Sequence, residues 1–233
     1  MTIQEKIIKT IRDNKISTTE VADVLGKKGH IRGPLPVTEG LHKVGLVEFV
    51  YAWNESNWEV HEQLQYINEG RMVYVHGMNC NEKAIFGDLV AKYVLLYKRA
   101  EAIIVNGFMR DIHTLKKEKY PIWCTGYTPI GCTNIKNDDL PPDSELKVLR
   151  DLYQDAIFVA DDTGVVLITK EQQNEELIKK LDFIELQEDV WFFCMDTHKM
   201  STYEVVCQKK YLSEKGLINT EKLVELSSFS TAK

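Results

Sequence analysis

Between residues 43 and 125, short apolar runs alternate with segments of helical periodicity. That alternation restricts the chain to an α/β fold. Residues 43–52 (KVGLVEFVYA) read as a strand, Trp58 to Ile67 as an amphipathic helix stopped by Gly70, and Met72 to Val75 as a second strand. A loop from His76 to Glu82 leads to a helix from about Lys83 to Arg99. Then come strand 102–106, a short helix from Ile112 to Lys117 and strand 121–125. Upstream, Ile3, Ile7, Ile8 and Ile11 have helical spacing, and Ser17-Thr18-Thr19-Glu20 has the form of a capping box. Gly29 to Gly40 reads as a loop, as do the polar residues 133–145. Ala156–Ala160 and Val165–Ile168 flank Asp161-Asp162-Thr163-Gly164, a hairpin signature. After residue 170 the chain turns helical and charged, with a hydrophobic interruption at Val190–Met195. The expected organisation is a core domain of mixed strand order over 1–170 and a mainly helical extension over 171–233.

Composition removes several classes of function. A net charge of -6 argues against nucleic acid as a partner, which calls for a concentrated basic face. No apolar run approaches the length of a membrane span, and the first residues lack a secretory apolar region. Five scattered cysteines without a CxxC fit reduced thiols, and with them a cytoplasmic protein, better than a disulfide framework or a zinc site.

Two places have the residue types for chemistry. Ile103 to Asp111 is an apolar run that breaks at Gly107 and is followed by adjacent Arg110 and Asp111. The run reads as a buried strand and the glycine as the turn at its end. A guanidinium there can grip a carboxylate or a developing oxyanion, and a carboxylate can hold a metal. A surface ion pair closing a strand is the plainer alternative. The second place is Ala84-Ile85-Phe86-Gly87-Asp88-Leu89, the start of the expected long helix, where free backbone N–H groups suit an anion. Asp88 there either orders a metal and its waters or is simply a favourable first-turn acid. The chain has no GxGxxG after a strand, no Walker loop and no GxSxG. His61-Glu62 opens like a zincin helix, but Gln65 stands where the second histidine belongs. His113 lies two residues after Asp111 and would not share its helical face.

Taken in order, these pieces resemble the RraA-like family, which includes metal-dependent 4-hydroxy-4-methyl-2-oxoglutarate and 4-carboxy-4-hydroxy-2-oxoadipate aldolases and a protein inhibitor of ribonuclease E. The family pattern has a Gly-Glu or Gly-Asp helix start, about twenty residues, an apolar strand into Asp-Gly-x-x-Arg-Asp, and a Pro-Val-aromatic-x-x-Gly-x-x-Pro strand. This chain has Gly87-Asp88, then Asn106-Gly107-Phe108-Met109-Arg110-Asp111, then Pro121 to Pro129. Thr18 to Gly26 is similar to the family's opening, and Ala160 to Val166 to its closing hairpin. The match runs from about residue 17 to 168.

The resemblance implies an α/β fold of the swivelling β/β/α type, assembled as a homotrimer or a hexamer with sites between subunits. It also implies a lyase acting on a small-molecule 2-oxo acid through the enolate of pyruvate, by retro-aldol cleavage, oxaloacetate decarboxylation or both. Asp111 would then ligate Mg²⁺ or Mn²⁺, with Asp88 ordering the metal's waters. Arg110 would contact the ketone oxygen, and backbone N–H groups of Phe86, Gly87, Asp88 and Leu89 would hold the carboxylate. Arg110 and Asp88 are the expected catalytic residues. The general base is not identifiable, and nothing marks Lys43 as a Schiff-base lysine. The chain also departs from the pattern. Twenty-one residues separate Asp88 from Arg110 instead of twenty, Asn106 replaces an Asp, and Thr114 stands where many members have an acid. Two rival readings follow: a non-catalytic regulator like the ribonuclease E inhibitor, and an enzyme on the same scaffold with a different 2-oxo or sugar-acid substrate.

Overall fold

The computed structural model describes residues 1–213 and 217, so the last part of the expected C-terminal extension lies outside the described residues. Helix α1 (Ile3–Asn14) and helix α2 (Thr18–Val24) open the chain. The capping box at α2 forms as the sequence predicts: the Glu20 amide donates to Ser17 Oγ at 3.2 Å, and the Ser17 amide donates to the Glu20 carboxylate at 2.7 Å. Strand β1 (Leu35–Pro36) lies inside the expected Gly29–Gly40 loop. Strand β2 (Lys43–Trp53), helix α3 (Trp58–Leu64) and strand β3 (Met72–Met78) follow in the predicted order.

The expected helix from Lys83 is the main departure. Ala84–Phe86 is a strand, β4, and the helix α4 (Asp88–Lys92) starts only after Gly87, then widens into a π turn over Tyr93–Tyr97. An apolar run of three residues cannot be told from the first turn of an apolar helix by periodicity. Strand β5 (Ala102–Met109) continues past Gly107, with a shift of register against its neighbour over Ile122–Tyr127 between Val105 and Phe108, so that glycine does not end the strand. An added Cβ at Gly107 would come within 2.6 Å of Ile85 Cδ1, and one at Gly77 within 2.8 Å of the same atom. Both glycines exist to let Ile85 of β4 lie flat on neighbouring strands.

Helix α5 (Ile112–Lys117) and strand β6 (Ile122–Tyr127) come next. Part of the expected 133–145 loop belongs to helix α6 (Asp143–Tyr153). Strands β7 (Ile157–Asp161) and β8 (Gly164–Ile168) form the predicted antiparallel hairpin. The sheet order is β1-β6-β5-β3-β2-β7-β8, with β4 pairing onto β5. Within it β2, β3, β5 and β6 run parallel, while β1 and β7 are antiparallel to their neighbours.

The parallel strands are apolar on both faces, as strands covered on both sides must be. On one face, Val73, Val75, Ile103, Val105 and Ile122 pack with Val60 and Leu64 of α3 and Val90 and Ala91 of α4. On the other, Tyr74, Ile104 and Trp123 pack with Phe158 and Val165 of the hairpin. The Trp123 indole N–H donates to the Asp161 carbonyl at 2.7 Å, which ties β6 to the hairpin tip.

The chain divides into two compact units, Met1–Gln173 and Asn174–Lys233. In the second, helix α7 (Glu175–His198) runs unbroken through the apolar Val190–Met195 stretch. Val190 and Cys194, one helical turn apart, pack there with Val205 and Tyr211. Among the described residues no helix is long and apolar enough to cross a membrane.

Candidate functional site

β5 delivers Arg110 and Asp111 to its C-terminal end, and β4, lying parallel beside it, delivers Gly87 and Asp88 to the same place. The register is held by the Arg110 amide, which donates to the Phe86 carbonyl at 3.2 Å. Asp111 is the N-cap of α5 and sits in the left-handed region at φ 58°. Asp and Asn enter that region more readily than other non-glycine residues, because their short polar side chains can bond locally.

One carboxylate oxygen organises the cluster. Asp111 Oδ2 accepts the Asp88 backbone N–H at 3.2 Å and lies 3.6 Å from Arg110 Nε. An added Cβ at Gly87 would fall 1.9 Å from that oxygen and 2.9 Å from Arg110 Cγ. No side chain fits at position 87 while the carboxylate stays in place. The Arg110 and Asp111 side chains are 49% and 39% exposed. An ion pair that open adds little to stability, but both groups are within reach of a small molecule.

The sequence reading missed a third contributor. Residues 130–132 are laid on β4, where the Ala84 amide donates to the Ile130 carbonyl at 2.8 Å and the Cys132 amide to the Ala84 carbonyl at 2.8 Å. Gly131 therefore lies under the guanidinium: an added Cβ there would stand 2.6 Å from Arg110 Nη1. Its only sequence signal is a glycine just past the Pro129 that ends the motif.

Of the predicted site residues, Gly87, Asp88, Arg110 and Asp111 come together. Asp88 joins Asp111 through its amide, while its side chain remains partly exposed. Phe86 is buried and contributes its carbonyl to Arg110, and Leu89 is exposed beside the cluster. His113 is exposed on α5, and Lys43 is paired with Glu101 at 2.9 Å on the sheet. Among the described residues no three His, Cys, Asp or Glu side chains are grouped to hold a metal. A cation here would rest on Asp111 and water, which suits the hard, hydrated Mg²⁺ but not Zn²⁺.

A second polar group occupies the ends of β3, β5 and β6. His76 Nδ1 lies 3.0 Å from the Tyr74 hydroxyl and 3.4 Å from Asn106 Nδ2, and Thr125 Oγ1 donates to Asn106 Oδ1 at 3.4 Å. The Tyr74 hydroxyl and the Asn106 amide thus both meet the imidazole at Nδ1. Burial holds His76 below its ordinary value, with Glu145 opposing the shift. Burial, then the nearby Tyr153, pushes the Tyr74 hydroxyl well above its usual range. The sequence flagged Asn106 only as a departure; its role here is to bridge His76 and Thr125.

A mixed sheet whose strand ends carry Gly-Asp beside Arg-Asp defines a class of α/β proteins, and the comparisons with known proteins identify it. The model of the RraA-like family, described as Aldolase/RraA, matches residues 18–167. The chain belongs to the RraA-like family. Among solved structures it is similar to a protein from Pseudomonas syringae pv. tomato, with TM-score 0.66, 16% identity, and 88% of this chain and 98% of that one covered. It is also similar to Streptomyces coelicolor RraAS2, titled an unusual member of the RNase ES inhibitor RraA protein family. That match has TM-score 0.62 and 20% identity, and covers 79% of this chain and 96% of the other. At these identities the likeness is one of fold. The curated protein DlpA of Legionella pneumophila is 23% identical over 185 residues, 77% of this chain but 30% of DlpA. The chain thus spans under a third of that relative's length.

Proposed function

We propose that this protein is a divalent-metal-dependent lyase that acts on a 2-oxo acid through the enolate of pyruvate. The observation that supports it is the convergence on one carboxylate: Asp111 Oδ2 meets the Asp88 amide at 3.2 Å and Arg110 Nε at 3.6 Å, in a space that only Gly87 leaves open. Asp111 would hold Mg²⁺ or Mn²⁺, and the partly exposed Asp88 would hydrogen-bond waters around it. When bound, the ion supplies Lewis-acid polarisation of the ketone.

The chain's own residues supply the rest. Arg110, fixed at its backbone by Phe86 and bounded by Gly131, presents a guanidinium to the ketone oxygen, where negative charge grows as the C–C bond breaks. The substrate carboxylate would meet the amides at the start of α4 around Leu89, since the Asp88 amide is already given to Asp111. Retro-aldol cleavage and oxaloacetate decarboxylation leave the same enolate, so both fall within reach of this arrangement. We further propose a homotrimer or hexamer. The five free thiols favour a cytoplasmic setting.

The test is pyruvate release from oxaloacetate with and without Mg²⁺, for wild type and Asp111→Asn. Metal-dependent turnover that falls by about a hundredfold or more in the variant is expected. Wild-type protein without metal-dependent turnover overturns the lyase reading and leaves the regulator in its place.

A further inference from the structure

A cavity of about 350 Å³ lies between α2, the tip of the β7–β8 hairpin and the segment from Lys27 to His30. It is at the other end of the parallel strands from Arg110 and Asp111: the hairpin tip follows Ala160, which pairs with Lys43, the first residue of β2. Three backbone features build it. Thr18 donates its amide and its hydroxyl to the Asp161 carboxylate, at 2.8 Å and 2.7 Å, and so clamps α2 to the hairpin. The Leu167 amide donates to the Gly29 carbonyl at 2.8 Å and the Ile31 amide to the Val165 carbonyl at 2.9 Å, which lays residues 29–31 along β8. Gly29, at φ 88°, makes that approach possible, because an added Cβ would stand 2.6 Å from the Leu167 carbonyl oxygen. Lys28 and His30 flank this glycine and both line the cavity. His30 lies opposite Val166 in an antiparallel bridge, so the two side chains share one face.

We propose that this cavity binds a small phosphate monoester, its phosphate held between Lys28 and His30 and its carbon part laid against Val165 and Val166. The charges around the cavity are already sorted. Lys27 is paired with Asp23. Asp161 is occupied by Thr18 and by the Thr163 amide at 2.8 Å, and Asp162 accepts the Gly40 amide at 2.8 Å. Among the described residues the Lys28 and His30 side chains have no hydrogen-bond or ion-pair partner. An ammonium and an imidazole both donate to anionic oxygen, and the exposed hydroxyls of Thr19 and Thr163 on the same walls add two further donors. One ammonium and one imidazole in a chain of net charge -6 match a single phosphate, not a polyanion. The volume stands at the lower end of the roughly 300–1,000 Å³ of small-molecule pockets, more than a bare phosphate fills. The apolar part of the wall therefore selects an ester over the free ion. This site stands apart from the lyase reading and does not depend on it.

The experiment titrates the full chain, by calorimetry without added metal, with glycerol 3-phosphate, inorganic phosphate, acetate and glycerol. Wild type, Lys28→Glu, His30→Gln and Arg110→Gln are compared, and the melting temperature of each unliganded protein checks its fold. The expected result is saturable binding of glycerol 3-phosphate at millimolar concentrations or below, tighter than that of inorganic phosphate or acetate, and none of glycerol. Lys28→Glu should weaken it by about tenfold or more, since it removes a charge-assisted bond and adds repulsion. His30→Gln should weaken it less, and Arg110→Gln should leave it unchanged. Absence of saturable binding overturns the proposal, as does equal affinity in wild type and Lys28→Glu. Loss of binding in Arg110→Gln instead would place the anion at the other end of the strands and overturn it too. Inorganic phosphate bound as tightly as the ester would overturn the assignment of an organic ligand.

Discussion

Position 87 shows how strictly one atom can be constrained. An alanine there would put its Cβ 1.9 Å from Asp111 Oδ2, well inside any non-bonded contact, so the carboxylate has to leave. The expected outcome of Gly87→Ala is a loss of metal-dependent turnover close to that of removing Asp111, about a hundredfold or more. Stability should change by only about 1–2 kcal/mol, because the displaced group sits at the surface. Kinetics paired with urea denaturation check this, and a variant that keeps its turnover would show that Asp111 is not held where the chemistry needs it. Gly87 was legible in the sequence as half of a Gly-Asp pair. What could not be read was why it is glycine, because the neighbouring carboxylate comes from a different strand.

The elements were legible where local chemistry decides them. The Ser17–Glu20 box, the β7–β8 hairpin and the α5 helix follow from the residues alone. β4 was not, because Ala84–Phe86 is a strand only by pairing with β5 and with residues 130–132. Gly107 misled for the same reason: its function is to admit Ile85, a tertiary contact. The strand-end trio of Tyr74, His76 and Asn106 has a consequence for pH. Burial lowers the His76 value below 6.5, so below that pH the unfolded chain binds a proton that the folded chain refuses. Stability then falls as pH drops below 6.5, until the folded value is reached. His76→Gln should lose less of its urea midpoint than wild type between about pH 7.5 and about pH 5.5. An equal loss in both proteins would mean that the imidazole is free to protonate in the fold.

For the whole molecule, the class of fold was readable because apolar strands recur between helices, and parallel strands need such crossovers. The sequence shows a change to charged helical residues after 170, and the structure divides into compact units at Gln173. Assembly is a proposal at this scale: light scattering should give three or six chain masses, and a monomer at working concentrations would contradict it. Asp111 carries a last implication for how such a molecule changes over time. Its left-handed backbone suits asparagine and glycine as well as aspartate, and each of those is a single base change away in the genetic code. A lineage can therefore discard the carboxylate in one heritable step and keep its architecture, leaving a folded scaffold open to a different use.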